Sequence, residues 1–224
     1  MEKIVACFNQ KGGSGKTNTA MQLAGTFGKR GYRTAIVDLD PQGTASQWVS
    51  MAEEEHPFPA SLLNLAPLGG KMHREVRNHV GNYDVIVIDC PPAIDSPAPS
   101  SALLIADLAL IPVIPSPSDI WAAVAARSLA AKSAEINEGL IIRVLANMVQ
   151  STTLAGGAIE MLEADKDAPL LKTRIGLRSG YRECQLTGST VHDLPRNQQA
   201  RAEVNQLADE ISVLIKLGKP RKGD

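Results

Sequence analysis

The nine residues Asn9-Gln10-Lys11-Gly12-Gly13-Ser14-Gly15-Lys16-Thr17 lie between an apolar run, Lys3–Phe8, and a segment of helical period, Lys16–Lys29. A strand that passes through a glycine-rich turn straight into a helix commits the chain to an α/β arrangement. The glycines let the backbone curl until successive N–H groups point inward, and the helix N-terminus adds its positive end. Such a concavity suits phosphate oxygens. Lys16 supplies a point charge for the β- and γ-phosphates, and the Thr17 hydroxyl is placed to ligate Mg²⁺. Glycine-rich turns are common at strand–helix junctions; the closing Gly15-Lys16-Thr17 triplet is what marks this one as a nucleotide site.

The alternation continues to the C-terminus. Strand-length apolar runs are Lys3–Phe8, Thr34–Asp38, Ser61–Leu65, Asp84–Asp89, Leu108–Ile114, Ile141–Asn147 and Leu170–Ile175. Several are unbroken aliphatic stretches, as in parallel strands covered on both faces. Helical segments separate them. Ala20, Leu23, Ala24 and Phe27 mark one face of the first; Val204, Leu207, Ala208, Ile211, Leu214 and Ile215 mark one face of the last, near Arg196–Leu217. The expected fold is a doubly wound α/β domain over 1–217, a mostly parallel sheet of about seven strands with helices on both faces. A short basic tail, 218–224, follows. With 224 residues, 44% of them hydrophobic, the chain suffices for one full-sized core. Ligands of such sheets bind beyond the carboxyl ends of the strands, where the glycine-rich loop falls.

Carboxylates collect at the same ends. The second run closes as Asp38-Leu39-Asp40-Pro41-Gln42-Gly43. Two carboxylates two residues apart on a strand share a side, and beside phosphates they are costly unless a metal or water takes up their charge. The fourth run ends in Asp89, the position of a Mg²⁺ ligand that often acts through water, and Cys90-Pro91-Pro92 follows. Asn147 either hydrogen-bonds adenine or serves a turn. Cys7, Cys90 and Cys184 have neither metal-ligand nor disulfide spacing, which reads as a reducing compartment with Cys90 an inert small residue. Scattered histidines make no metal site. His73–His79 reads as a helix with a polar side, and Glu53-Glu54-Glu55 as a helix end or loop face.

Lys11 stands ahead of the glycines, and Gln10 occupies a position where the generic loop has glycine. The string KGGSGKT thereby resembles the deviant Walker A motif of the ParA/MinD superfamily of P-loop ATPases. DLDPQG resembles that family's switch I, Asp84–Asp89 its Walker B strand, Cys90-Pro91-Pro92 its switch II, and Ile111–Pro117 a further family string. The resemblance implies ATP and Mg²⁺ as cofactors and a slow, partner-stimulated hydrolysis. It implies that Lys11 crosses a nucleotide-sandwich homodimer to the other subunit's phosphates, that Asp40 positions the attacking water, and that Asp38 supports Mg²⁺ or the loop itself. Lys11, Lys16 and Asp40 are then the catalytic set. Lys11, Gly12, Gly13, Ser14, Gly15, Lys16, Thr17, Asn18 and Asn147 bind nucleotide, and Thr17, Asp38 and Asp89 serve the metal. Asn18 departs from the family's usual second threonine, which weakens one α-phosphate contact.

Within that family the chain looks like the short ParA type, because ten residues before Lys11 leave no room for an N-terminal helix-turn-helix domain. The net charge is −1, so contact with DNA must come from a local patch. Lys172, Arg174, Arg178 and Arg182 form a basic segment where ParA-type proteins carry DNA-contacting residues, and by that resemblance Arg178 matches best. Such residues neutralise phosphates without reading bases, and a solvated charged face is the competing reading. The expected function is a partition or positioning ATPase. Its ATP-bound homodimer binds DNA nonspecifically, and a ParB-type or other adaptor stimulates hydrolysis, segregating a plasmid, chromosome or other cargo. The alternative, a MinD-like membrane-associated regulator, requires an amphipathic apolar tip; Gly218 and Pro220 break any helix in the tail, so stable membrane association is not expected. A redox or metal-transfer relative would need further cysteines. No signal peptide and no apolar run near ~18 residues is evident, so the expected location is cytoplasmic, on the nucleoid in the ATP state.

Overall fold

Seven strands build one sheet in which every hydrogen-bonded pair runs parallel. They are β1 (Lys3–Cys7), β2 (Thr34–Asp38), β3 (Ser61–Asn64), β4 (Val85–Asp89), β5 (Leu108–Val113), β6 (Ile141–Val149) and β7 (Leu170–Gly176). Their order across the sheet is β3-β2-β4-β1-β5-β6-β7. The computed structural model describes residues 2–92 and 96–221. The helices are α1 (Lys16–Lys29), α2 (Thr44–Ser50), α3 (Met72–His79), α4 (Pro97–Leu103), α5 (Pro117–Ala134), α6 (Thr153–Glu163), α7 (Gly180–Thr187) and α8 (Gln198–Leu214).

Each central strand feeds two cores, because successive side chains leave a strand on opposite faces. Val5, Cys7, Ile36, Val85, Val87, Leu108 and Leu110 pack under α1, α2, α7 and α8. Ile4, Ala6, Phe8, Ala35, Val37, Ile86, Ile88 and Ile111 pack under α3 to α6. This is why the runs read as continuous hydrophobic stretches. It also sends the Cys7 and Cys90 side chains into opposite cores, although the Cys90 N–H donates to the Cys7 carbonyl at 3.1 Å. Glu53–Glu55 fall in the exposed loop after α2, and α3 buries Met72 and Val76 while its charged residues face outward.

Most of the expected strands and the first helix agree to within one residue at each end, but β6 and α8 differ by two or more. β6 runs to Val149, through a bulge at its far end. α8 stops at Leu214 although the apolar period continues to Ile215: Lys216 takes φ +52°, and the Leu217 N–H reaches back to the Ser212 carbonyl at 2.9 Å. That is a left-handed C-terminal cap made without glycine. The following residues fold back onto the body. Tyr32 donates to the Gly218 carbonyl, and Arg221 Nε lies 3.0 Å from Asp84 Oδ1. Positions 222–224 of the basic tail lie outside the described residues.

β7 is an edge strand, and α8 closes it. The Glu210 carboxylate accepts from the backbone N–H of Lys172 (2.8 Å) and Thr173 (2.9 Å), and Glu203 accepts from that of Gly176 (3.2 Å). Replacing Glu210 with Ala leaves two N–H groups to find water and costs about 1–2 kcal/mol, a fall in the melting midpoint of roughly 2–8 °C. Thermal unfolding followed by circular dichroism checks this; an unchanged midpoint means that water replaces the carboxylate without loss.

Candidate functional site

The strand order reverses beside β1: β2, β3 and β4 lie on one side of it, and the chain then crosses to build β5, β6 and β7 on the other. A crevice opens beyond the carboxyl ends of strands at such a point, and the loop after β1 enters it. Asn9, 2% exposed, holds the loop's first limb: its Nδ2 donates to the Pro112 carbonyl at the end of β5 (2.8 Å), and its Oδ1 accepts from the Lys11 N–H (3.1 Å). Asn147 holds the second limb from β6, donating through Nδ2 to the Ser14 carbonyl (2.8 Å). Gly15 enters α1 at φ +84°, with Asn147 so close above it that no β-carbon would fit.

Buried charge defines the interior. Lys16, 6% exposed, donates to the Lys11 carbonyl inside its own loop (3.1 Å), and burial lowers its pKa. Asp38 and Asp89 are register partners on β2 and β4, both fully buried. Asp38 is saturated: Oδ1 accepts from the Asp40 N–H (3.1 Å), and Oδ2 from the N–H (2.9 Å) and hydroxyl (2.7 Å) of Ser46 on α2. Asp89 is not, for neither oxygen has a hydrogen-bond partner of good geometry. Burial pushes its carboxyl up to about 7; Thr17 and Lys16 pull it down, while Asp38 and Asp40 add to the rise. A buried, unpartnered carboxylate beside a threonine hydroxyl and a phosphate loop fits a divalent cation, which would remove the desolvation cost. Among the described residues no three His, Cys, Asp or Glu converge as a complete cage. That suits Mg²⁺, which takes one or two protein oxygens and fills the rest with phosphate and water.

Asp40 is half-buried, with Oδ1 accepting from the Gln42 N–H (2.9 Å), and it lines a cavity of about 230 Å³ with Gly13, Gly15, Lys16 and Thr17. A second cavity of about 210 Å³ adjoins it, bounded by Asn147, Leu177, Arg178 and Tyr181. Asn18, Met148 and Gln185 line both. The largest cavity, about 620 Å³, lies beside Lys29 at the far end of α1, roughly 20 Å away at the helical rise per residue, and takes in none of these groups.

Lys11 behaves differently from Lys16. It stands at the rim, its side chain 35% exposed, with Nζ 2.6 Å from Oδ1 of Asp119 in the first turn of α5. Asp119 Oδ2 accepts from the Ser116 hydroxyl that caps the same helix.

The expected phosphate-loop residues, Asp38, Asp40, Asp89 and Asn147 all meet at this one site. The four basic residues expected at a DNA surface do not share one state. Lys172 and Arg182 are exposed and enter no ion pair among the described residues. Arg174 pairs with Glu163 at 2.7 Å. Arg178 is half-buried with both Glu203 oxygens 3.0 Å from its Nε, and it turns toward the second cavity. Asn9, Asp119, Met148 and Gln185 were not expected at the site. Asn9 and Asp119 carry a retrospective signal, a short amide closing β1 and an acid behind the Ser116 cap; Met148 and Gln185 carry none.

Comparison with known proteins gives a consistent answer. "Maintenance of carboxysome distribution protein A" from Halothiobacillus neapolitanus is 29% identical over 219 residues, 92% of this chain and 95% of that one. Its namesake from Gloeobacter kilaueensis is 30% identical over 213 residues, covering 93% and 94%. Among solved structures, an apo McdA from Cyanothece aligns with a TM-score of 0.80 at 16% identity, over 94% of this chain and 100% of that one, a likeness of fold. The family model described as "CobQ/CobB/MinD/ParA nucleotide binding domain" matches residues 5–191, which take in the loop, the paired aspartates and the Asn147 contact. The chain therefore belongs to the CobQ/CobB/MinD/ParA family of nucleotide-binding domains.

Proposed function

We propose that this chain is a ParA-type positioning ATPase that cycles between an ATP-bound homodimer on DNA and a released form. The observation that carries the reading is the divergence of two lysines on one loop. Lys16 is buried beneath the loop, where it faces its own subunit's phosphates, whereas Lys11 stands at the rim. A cation at the rim serves phosphates approaching from outside, as in a sandwich of two subunits. Asp119 neutralises Lys11 meanwhile, so dimerisation exchanges one anionic partner for another rather than exposing a bare charge.

The residues divide the work. Backbone N–H groups of Gly12 to Thr17 and the Lys16 ammonium grip the phosphates. Thr17 and Asp89 hold Mg²⁺, and Asp38 acts from behind by fixing the loop that bears Asp40. Bound Mg²⁺ neutralises charge on the phosphate oxygens. Asp40, with one oxygen tied to Gln42 N–H, presents the other to a water and orients it. No covalent enzyme intermediate is needed, since positioning and charge stabilisation suffice for phosphoryl transfer to water.

The DNA surface is built from Lys172, Arg174, Arg178 and Arg182, with Lys172 and Arg182 foremost because their charges are not already balanced. The relatives named for carboxysome distribution support a large cellular body as cargo; in this reading an adaptor on that cargo stimulates hydrolysis. A membrane-anchored cycle has less support: residues 218–221 fold back against Tyr32 and Asp84, and among the described residues no helix is long and apolar enough to cross a membrane.

Lys16→Ala is expected to lower ATP affinity by at least about a hundredfold in calorimetry. Lys11→Ala keeps most of that affinity but no longer dimerises with ATP in sedimentation. A normal ATP-dependent dimer with normal turnover removes Lys11 from the partner's site.

Asp40→Ala should bind ATP and dimerise yet turn over more slowly by about 10²-fold or more, the scale of lost positioning. An unchanged phosphate-release rate reassigns the water to another group.

Lys172→Ala with Arg182→Ala should weaken retention on random-sequence DNA in the ATP state alone, and each lost phosphate contact should reduce the log–log salt slope by about 0.9. Arg178→Ala should matter less to DNA. Equal retention with ATP, with ADP and without nucleotide would remove the switch from this reading.

A further inference from the structure

The phosphate cavity draws its lining from two sources: residues within the 13–18 stretch, and four from elsewhere in the chain, Asp40, Pro92, Met148 and Gln185. Phosphate oxygens ask for donors or cations, so each of those four can be judged by what it has to donate. Asp40 is an anion, and its backbone N–H is taken by Asp38 (3.1 Å). Pro92 has no N–H. Met148 offers a thioether, and its N–H goes to Asn147 Oδ1 (3.0 Å). That leaves Gln185, whose carboxamide carries two N–H bonds and enters no hydrogen bond among the described residues.

The fold fixes where that carboxamide stands. α7 buries Tyr181 and Cys184 on one side, and the Tyr181 hydroxyl is anchored on α8, 3.1 Å from Glu203 Oε2. The far end of α7 is pressed against α2. Gly188, at φ +60°, caps the helix where a β-carbon would stand 2.1 Å from the Ala52 nitrogen. The next residue is clamped as well, its carbonyl accepting from the Trp48 indole N–H. A short helix held on both flanks keeps one outward face, and Arg182 and Gln185, three apart, share it.

We propose that Gln185 is a phosphate-binding residue: its carboxamide donates from α7 to the polyphosphate that the loop grips, the one side-chain donor to the cavity from outside the loop and the helix it opens. Because it is neutral, it adds a hydrogen bond without competing with Lys16 for charge. This deepens the nucleotide reading of the site and rests on it. Gln185 also borders the adjoining cavity, so the ligands of the experiment must separate phosphate from nucleoside.

ATP, ADP and inorganic tripolyphosphate are titrated by calorimetry, with Mg²⁺, into the full chain as wild type, Gln185→Ala, Gln185→Glu and Gln185→Lys. Ligand-free melting is measured alongside. Gln185→Ala should lose about three- to tenfold in affinity for all three ligands alike, the scale of one solvent-accessible hydrogen bond. Gln185→Glu should lose more, since a carboxylate there repels phosphate. Gln185→Lys should bind at least as tightly as wild type, with an affinity that falls more steeply as salt is raised. The melting midpoints should stay together, because the side chain is exposed. Unchanged affinity for ATP and tripolyphosphate in Gln185→Ala overturns the proposal. A loss for ATP that spares tripolyphosphate places Gln185 on the nucleoside and overturns it too. So does an affinity loss in Gln185→Ala matched by a fall in its ligand-free midpoint, which would mean that the residue shapes the fold rather than touches phosphate. If wild type binds neither ATP nor tripolyphosphate, the nucleotide reading of the whole site fails first, a result distinct from failure at Gln185 alone.

Discussion

Two carboxylates held side by side out of water set the terms for everything around them. Asp38 and Asp89 are neighbours across β2 and β4, and isolated buried anions of like sign are strongly unfavourable. The fold resolves the pair asymmetrically. Asp38 is satisfied from within by Asp40 and Ser46, which fixes both the turn after β2 and the start of α2. Asp89 is left for something that arrives from outside. The loop's inward N–H groups and the buried Lys16 face the same space with the opposite need. An anion together with a cation satisfies both sides at once, and neither alone does.

Much of this was readable before any coordinates, because the phosphate loop is a local structure. Its glycines, its closing Lys16-Thr17 and the strand ahead of it lie within a few residues of one another. Strand positions were equally accessible, since burial on both faces leaves unbroken aliphatic runs. What escaped was pairing between distant segments. Lys11 showed as an extra cation but not as one held by Asp119; Arg178 showed as a basic residue but not as one balanced by Glu203 from α8. From sequence Asn147 reads equally as an adenine contact or a turn residue, and in the fold its side chain ties β6 to the Ser14 carbonyl. Met148 carries no sequence signal, because no composition rule marks a bulge that only long-range hydrogen bonds create.

The asymmetric pair also gives the site mechanical reach. Asp38 binds the turn that bears Asp40 to α2, and Trp48 of α2 donates through Nε1 to the Ser189 carbonyl beyond α7 (3.0 Å). Gln185 of α7 returns to the phosphate cavity, and Arg182 lies on the same helix. Side-chain and backbone contacts thus run without a break from the turn bearing Asp40, through α2 and Ser189, to the helix that carries Arg182.

The closed edge at β7 bears on how copies of this chain assemble. Glu203 and Glu210 occupy N–H groups that an incoming strand would need. The opposite edge, β3, has only four residues and is a poor template. Sheet-to-sheet polymerisation is thereby disfavoured at both ends. An array of these molecules would grow through helical faces and loops rather than through paired strand edges, so the architecture works against a permanent β-fibre.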